Sequence, residues 1–258
     1  MIRDALPSDY AAIAEMFAEL GVDDAVPPEA EWIAEAMPRT LVADRDGDVI
    51  GYATFRAGHV HNLVVAPRAR GEHVGSALMR GVARRMRAAG LAAWTLNVKA
   101  DNPPAIRLYE HLGMAPAHRA RSLRVSWAHV AALPDDPVAT TTSVILASDD
   151  AELERAFWIT AGRFSTLRAR PNRVLLQLRD AANTPLGVAG FDAAHNGAFP
   201  FQVVRPTLQR RLFDALRDHA RSDAPINVVI ERDVAAIDLL LATGAESRLD
   251  LIHYRGAL

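Results

Sequence analysis

Two histidines, His59 and His61, stand two residues apart in the alternating stretch "GHVHNLVV". Side chains at i and i+2 of a strand project to the same side. Neutral imidazole, with an ordinary pKa of about 6.5, is the side chain best suited to take a proton near neutral pH, so the pair suits a general base. Ordinary hydrogen-bonded strand histidines are the plainer reading. No metal is expected, because no third ligand has a telling spacing from the pair. A few residues on, "APRARGEHVGSALM" passes a proline, then Gly71 and Gly75, and enters a helical pattern. A strand-to-helix junction presents N–H groups with no intrahelical partner, and each exposed interaction favours an anion by about 0.3 to 1 kcal/mol. A diphosphate suits such a bare turn; glycines that merely ease the turn are the alternative.

The elements that must position these residues follow from periodicity and turn signals. The first half reads as strand 2–5, helices 9–20 and 28–37, strands 40–45, 48–57 and 59–66, helix 74–89, strand 92–98, helix 102–112 and strand 119–127. "RDGD" at 45–48 is an Asp-Gly hairpin signal. The segment "AALPDDPVATTT", residues 131–142, has the proline and small polar content of a linker, so the expected domains are 1–130 and 143–258. The second half restarts with strand 143–147, helix 150–161, strands 173–179, 185–192 and 199–204, helix 207–220, strand 226–231, helix 233–242 and strand 248–254.

The two halves resemble each other at two anchors. "VVAP" at 64–67 answers "VVRP" at 203–206, an offset of 139, and "DNPPAIRLYEHLGM" at 101–114 answers "RDVAAIDLLLATGA" at 232–245, an offset of 131. Their order and matching elements point to duplication. At these offsets Gly71, His73 and Gly75 become Arg210, Leu212 and Asp214, Tyr109 becomes Leu240, and the histidines face Ala198 and Pro200. The chemistry-bearing positions are lost.

Composition narrows the function. The 258 residues contain 29 basic and 31 acidic side chains, which leaves no global positive field to gather nucleic acid. Cysteine is absent, excluding disulfides, thiolate nucleophiles and cysteine-ligated metals. No apolar run approaches the ~18 residues of a membrane span, and the charged opening "MIRDALPSDY" lacks a signal peptide's apolar block. A cytoplasmic monomer or homodimer without nucleic-acid or membrane partners is the expectation.

The stretch "LVVAPRARGEHVGSALM" resembles motif A of the GNAT N-acetyltransferase superfamily, in which Arg70 and Gly75 take the first and last places and His73 stands where glycine is usual. "LNVKADNPPAIRLYEHLGM" resembles motif B through Asn102, Ala105, Leu108, Tyr109 and Gly113. The Rossmann spacing G-x-G-x-x-G is absent. The resemblance implies an α+β fold, an α/β/α sandwich whose mixed central sheet is flanked by helices, here duplicated as two domains with a degenerate second copy packing on the first.

The same resemblance implies acetyl-CoA as cosubstrate, contacted at Leu63, Val64, Val65, Arg70, Gly71, His73, Val74, Gly75, Ser76, Asn102 and Tyr109. Tyr109 would protonate the leaving thiolate, and a strand bulge near residues 63–65 would supply an N–H to the thioester carbonyl. His59 falls where several members carry a general-base glutamate, and "HVHNLVV" is similar to the His-x-His strand of arylalkylamine N-acetyltransferases. The implied function is direct acetyl transfer to the primary amine of a small molecule, since no cysteine exists to carry the acetyl group. If His73 must adopt positive φ, it is strained there. A non-catalytic CoA-binding regulator is the alternative. Asp23, Asp24, Glu29 and Glu31 form either an amine-attracting surface or a solvated one.

Overall fold

Alternating burial creates the strands of the first half. The computed structural model, which describes residues 1–21 and 25–258, contains β1 (Ile2–Asp4), α1 (Tyr10–Phe17), α2 (Glu29–Glu31, continuing as a π-helical segment Trp32–Ala36), β2 (Thr40–Arg45), β3 (Asp48–Arg56), β4 (His59–Val65), α3 (Val74–Ala88), β5 (Ala93–Lys99), α4 (Pro103–His111) and β6 (Ala115–Val125). The β2–β3 turn has positive φ at Asp46 and Gly47 (54° and 88°), the mirror-image turn that matches strand twist. Ala57 and Gly58 (46° and 80°) repeat that conformation between β3 and β4. Asp23 and Asp24 lie outside the described residues.

The second half adds α5 (Trp127–Ala132), β7 (Thr140–Val144), α6 (Asp150–Ala156), α7 (Arg163–Arg168), β8 (Arg173–Asp180), β9 (Pro185–Asp192), β10 (Gly197–Val203), α8 (Gln209–Arg217), β11 (Ile226–Glu231), α9 (Val234–Ala242) and β12 (Glu246–Ala257). The chain divides into two compact units. The first comprises 1–117 together with 252–258, and the second comprises 118–251.

In the first unit the strand order is β1-β2-β3-β4-β5-β12. Pairing is antiparallel from β1 to β4, and β4 meets β5 in parallel. One face of this sheet carries Val42, Tyr52 and Val64, packed against Ile13 of α1 and Trp32 of the π-helical segment. The other carries Leu41, Ala53, Val60, Leu96 and Tyr254 beneath α3 and α4. Helix α3 buries Leu78, Met79, Val82 and Met86, spaced at helical period. This is an α/β/α sandwich.

The second unit repeats the plan in the order β6-β11-β10-β9-β8-β7, with β10 and β11 parallel and the other pairs antiparallel. Its cores lie under α5, α8 and α9 on one side and under α6 and α7 on the other. Helices α4 and α9 begin and end at the 131 offset, and each cap accepts an N–H three residues on: Asn102 from Ala105 (3.2 Å), Asp233 from Ala236 (2.9 Å). Pro67 and Pro206, at the 139 offset, each open a 3₁₀ turn.

Several expectations need correction. The division at 117/118 does not coincide with the proline-rich stretch 131–142. That stretch is tied down: Leu133 is buried, and the buried Asp136 carboxylate accepts from Val138 N–H (3.0 Å), Arg205 (2.8 Å) and the Thr207 hydroxyl. Composition suggested slack, but a satisfied buried carboxylate removes it. The helix expected over 150–161 stops at Ala156, and a further helix, α7, begins at Arg163, where Glu154 accepts the N–H groups of Gly162 (2.8 Å) and Phe164 (2.9 Å). The last strand runs from 246 to 257, beyond the expected 248–254, and its end belongs to the first unit.

Candidate active site

Strand β4 changes partners midway. It stays paired with β3 up to Val65, yet among the described residues it pairs with β5 only at His59↔Thr95 and Val60↔Leu96. Beyond Val60 the two strands part. The backbone edge of Leu63, Val64 and Val65 that would face β5 therefore borders a gap, the kind of strand edge to which an extended amide-bearing chain can add. A register shift accompanies the parting. Thr54 faces Asn62 and Phe55 faces Val60, so His61 is the extra residue of a β-bulge. The bulge thus lies at His61, not at residues 63–65.

The bulge explains which side each group occupies. Val60 packs in the core beneath α3 and α4, whereas Val64 packs in the core beneath α1; without the inserted residue the two would share a face. His59 is half-buried and His61 exposed, with ring centroids 4.9 Å apart at 70°. Nδ1 of His59 lies 2.8 Å from Thr95 Oγ1 on β5. Thr95 and Asn97 alternate with Trp94, Leu96 and Val98, which face the α3/α4 core, so they share the histidine face.

Sequence reasoning missed His253. It lies on the part of β12 that belongs to the first unit, where its ring runs nearly parallel to His59 (10°, centroids 6.1 Å apart) and its Nδ1–H donates to Asn97 Oδ1 at 2.8 Å. In "LIHYRGAL" it reads as one more alternating strand residue, and nothing local identifies the neighbour of a strand.

After β4 the chain turns through a 3₁₀ segment, Pro67–Ala69, and reaches α3 through residues 70–73. Gly71 has φ of 82° with no atom within 4 Å of where a Cβ would be. His73 has φ of 61° and ψ of 14° as the N-cap, a left-handed conformation for a side chain better replaced by glycine. Ala77 N–H donates to His73 O (3.0 Å), so the N–H groups of Val74, Gly75 and Ser76 precede the intrahelical ladder. At Gly75 a Cβ would sit 3.2 Å from Leu108 and 3.7 Å from Val65; the missing side chain lets α3 start close against α4 and β4. These residues fit a diphosphate: open space, amides without intrahelical partners and a positive helix end coincide.

Arg70 is already engaged, donating through Nε to Val65 O (3.3 Å) and pairing with Glu19. The Lys99 ammonium on β5 donates to Gly21 O. The 3₁₀ turn Ala18–Leu20 and Gly21 are thereby tied to residues from both sides of the gap. Glu29 and Glu31 are exposed on α2.

Asn102 is committed to capping α4. Tyr109, on that helix, is buried beside Tyr254 (ring centroids 6.2 Å apart) in the α3/α4 core, and burial pushes its hydroxyl up to about 12. Tyr109 and the imidazoles therefore lie on opposite sides of the sheet.

Residues 7–114 match the family model described as Acetyltransferase (GNAT) family. Mycothiol acetyltransferase of Streptomyces avermitilis is 40% identical over 81 residues, covering 29% of this chain and 26% of that protein. Mycothiol acetyltransferase of Nocardia farcinica is 30% identical over 158 residues, covering 56% and 50%. The chain thus spans between a quarter and a half of the length of these relatives. Among solved structures, a GCN5-related N-acetyltransferase from Sphaerobacter thermophilus superposes with a TM-score of 0.65 over 100% of this chain and 95% of that one, at 17% identity. One from Kribbella flavida gives 0.56 over 99% and 71%, at 16% identity. These distant likenesses extend the shared fold across both units. Residues 7–114 are accordingly a domain of the GNAT acetyltransferase family.

Proposed function

We propose that the protein is an N-acetyltransferase that moves the acetyl group of acetyl-CoA directly onto a primary amine of a small molecule. The observation that carries this reading is the parting of β4 from β5 beside paired imidazoles, with a bare helix start at the far end of β4. The N–H groups of Gly71, His73, Val74, Gly75 and Ser76 would hold the diphosphate, and the open edge of Leu63, Val64 and Val65 would accept the amide-bearing arm. His59 or His61 takes the ammonium proton, directly or through water, so that the neutral nitrogen attacks the thioester. An N–H at the His61 bulge is the donor assigned to the carbonyl oxygen as it gains charge.

Tyr109 supplies the other proton. A phenol at about 12 keeps its proton throughout the neutral range. An ordinary thiol titrates at about 8.5, which by itself makes transfer to a thiolate uphill. The burial that raises the phenol also destabilises a thiolate beside it, which brings donor and acceptor closer to balance.

The names of the relatives direct attention to a small-molecule acceptor, and the acetylation that their name denotes is the first to test. The experiment is release of free thiol from acetyl-CoA across a panel of small primary amines, with acetyl-CoA binding measured by calorimetry. Turnover with at least one amine is expected. Tight binding without turnover for any amine transfers the site to a CoA-sensing role, and absence of binding removes both readings.

A further inference from the structure

We propose that His253, presented by the last strand of the chain, is a positioning residue of the candidate site, fixing the ring orientation in which His59 accepts the acceptor's proton. The inference rests on the acetyl-transfer reading for its purpose, though not for its geometry. Strand β5 lies between β4 and β12 in the sheet. From it Thr95 and Asn97, two residues apart and therefore on one side, reach His59 and His253 through their Nδ1 atoms, each at 2.8 Å. One central strand thus anchors two imidazoles on its two flanks. Their planes differ by 10°, while His61 meets His59 edge-on at 70°.

A histidine ring on a strand has two soft torsions, and a misdirected base loses most of its value, because small errors of placement cost on the order of 10²-fold in rate. A parallel ring and an edge-on ring restrict those torsions, their centroids 6.1 and 4.9 Å away and so in the 4.5 to 7 Å range where aromatic pairs attract. With Nδ1 of His59 engaged by Thr95, proton exchange with substrate falls to Nε2, whose direction is set by the ring plane. His61 is exposed, whereas His59 and His253 are both half-buried. His253 is therefore the sheltered support of the row.

The test compares His253→Ala with His253→Phe in the full chain. Phenylalanine retains a flat ring against His59 but cannot carry a proton. For His253→Ala, kcat should fall roughly 10- to 100-fold with the KM for acetyl-CoA within about twofold, and His253→Phe should recover most of the loss. Equal loss in both variants would make His253 a proton carrier, and wild-type rates in His253→Ala would give it no role; either result overturns the proposal. A second readout does not depend on turnover. Imidazole nitrogen NMR, with the His59 signals assigned through His59→Gln, should show one ordered ring in wild type and in His253→Phe, and averaged signals in His253→Ala. Unchanged His59 signals in His253→Ala overturn the positioning role. An ordered ring that depends on His253, in a protein inert toward every amine, would leave the positioning intact and remove the proposed reaction.

Discussion

In the first unit β4 and β5 pair at two positions and part beyond Val60; in the second, β10 and β11 pair at Gly197↔Asn227 and Ala198↔Val228 and show no further pairing among the described residues. Both parallel pairs sit beside a register shift, at His61 in one and between Ala198 and Phe201 in the other. The second gap persists as a cavity of about 280 Å³ lined by Trp158, Phe201, Val203, Ile230 and Glu231. What differs is its furnishing. Residues 66–73 of the first unit give a left-handed Gly71 and His73 and then a fifteen-residue helix. In the second, residues 204–208 lead straight into a nine-residue helix. Arg210, Leu212 and Asp214 thus lie within α8, where Leu212 is fully buried and Arg210 donates to Leu133 O (3.0 Å).

The parted strands need only alternating apolar residues, a proline turn and capped helices, all of which both units have. Those features are satisfied by many sequences, because burial at about 25 cal/mol per Å² is indifferent to which apolar residue supplies it. An anion cradle and a proton acceptor are not interchangeable in that way. One frame can therefore lose every reactive group and still fold.

The largest expected effect separates the two gaps outright. Replacing both imidazoles, His59→Ala with His61→Ala, should lower turnover on the order of 10²-fold or more while acetyl-CoA binding measured by calorimetry stays nearly unchanged. Gln202→Ala, at a further residue lining the second gap, should leave turnover within about twofold, and a comparable loss there would erase the contrast. Gly71→Asp introduces a carboxylate into open space, though at a φ of 82° that strains any side chain; relative to Gly71→Ala, which carries the same strain without the charge, acetyl-CoA affinity should fall about tenfold, some 1.4 kcal/mol, through repulsion of phosphate. An unchanged dissociation constant would place the diphosphate elsewhere.

The two helix caps offer a matched pair. Asn102→Ala and Asp233→Ala should each cost about 1 kcal/mol in denaturant unfolding, but only Asn102→Ala should also slow turnover, since only α4 carries Tyr109. The smallest effect is a gain: His73→Gly exchanges a strained left-handed residue for one that adopts the conformation freely. It should add about 0.5 to 1 kcal/mol of stability, less than the full strain because glycine gains entropy when unfolded. A lower melting temperature for that variant would mean that the imidazole contributes more than its strain removes.

The residues themselves determined what depends on near neighbours. The Asp46-Gly47 turn, the first turns of α4 and α9, the strain at His73 and the offset between the halves all follow from sterics and periodicity spanning a few residues. The β4 histidines were legible for the same reason, since i and i+2 of a strand meet wherever that strand goes. Tertiary structure alone decided which strands stand side by side. It seated residues 252–258 in the first unit, brought His253 against His59 across β5, placed the bulge at His61 and made a tethered segment of 131–142. Strand neighbours and register are settled by pairing between residues far apart in the chain, and His253, nearly two hundred residues from His59, carries no local mark of the contact it makes.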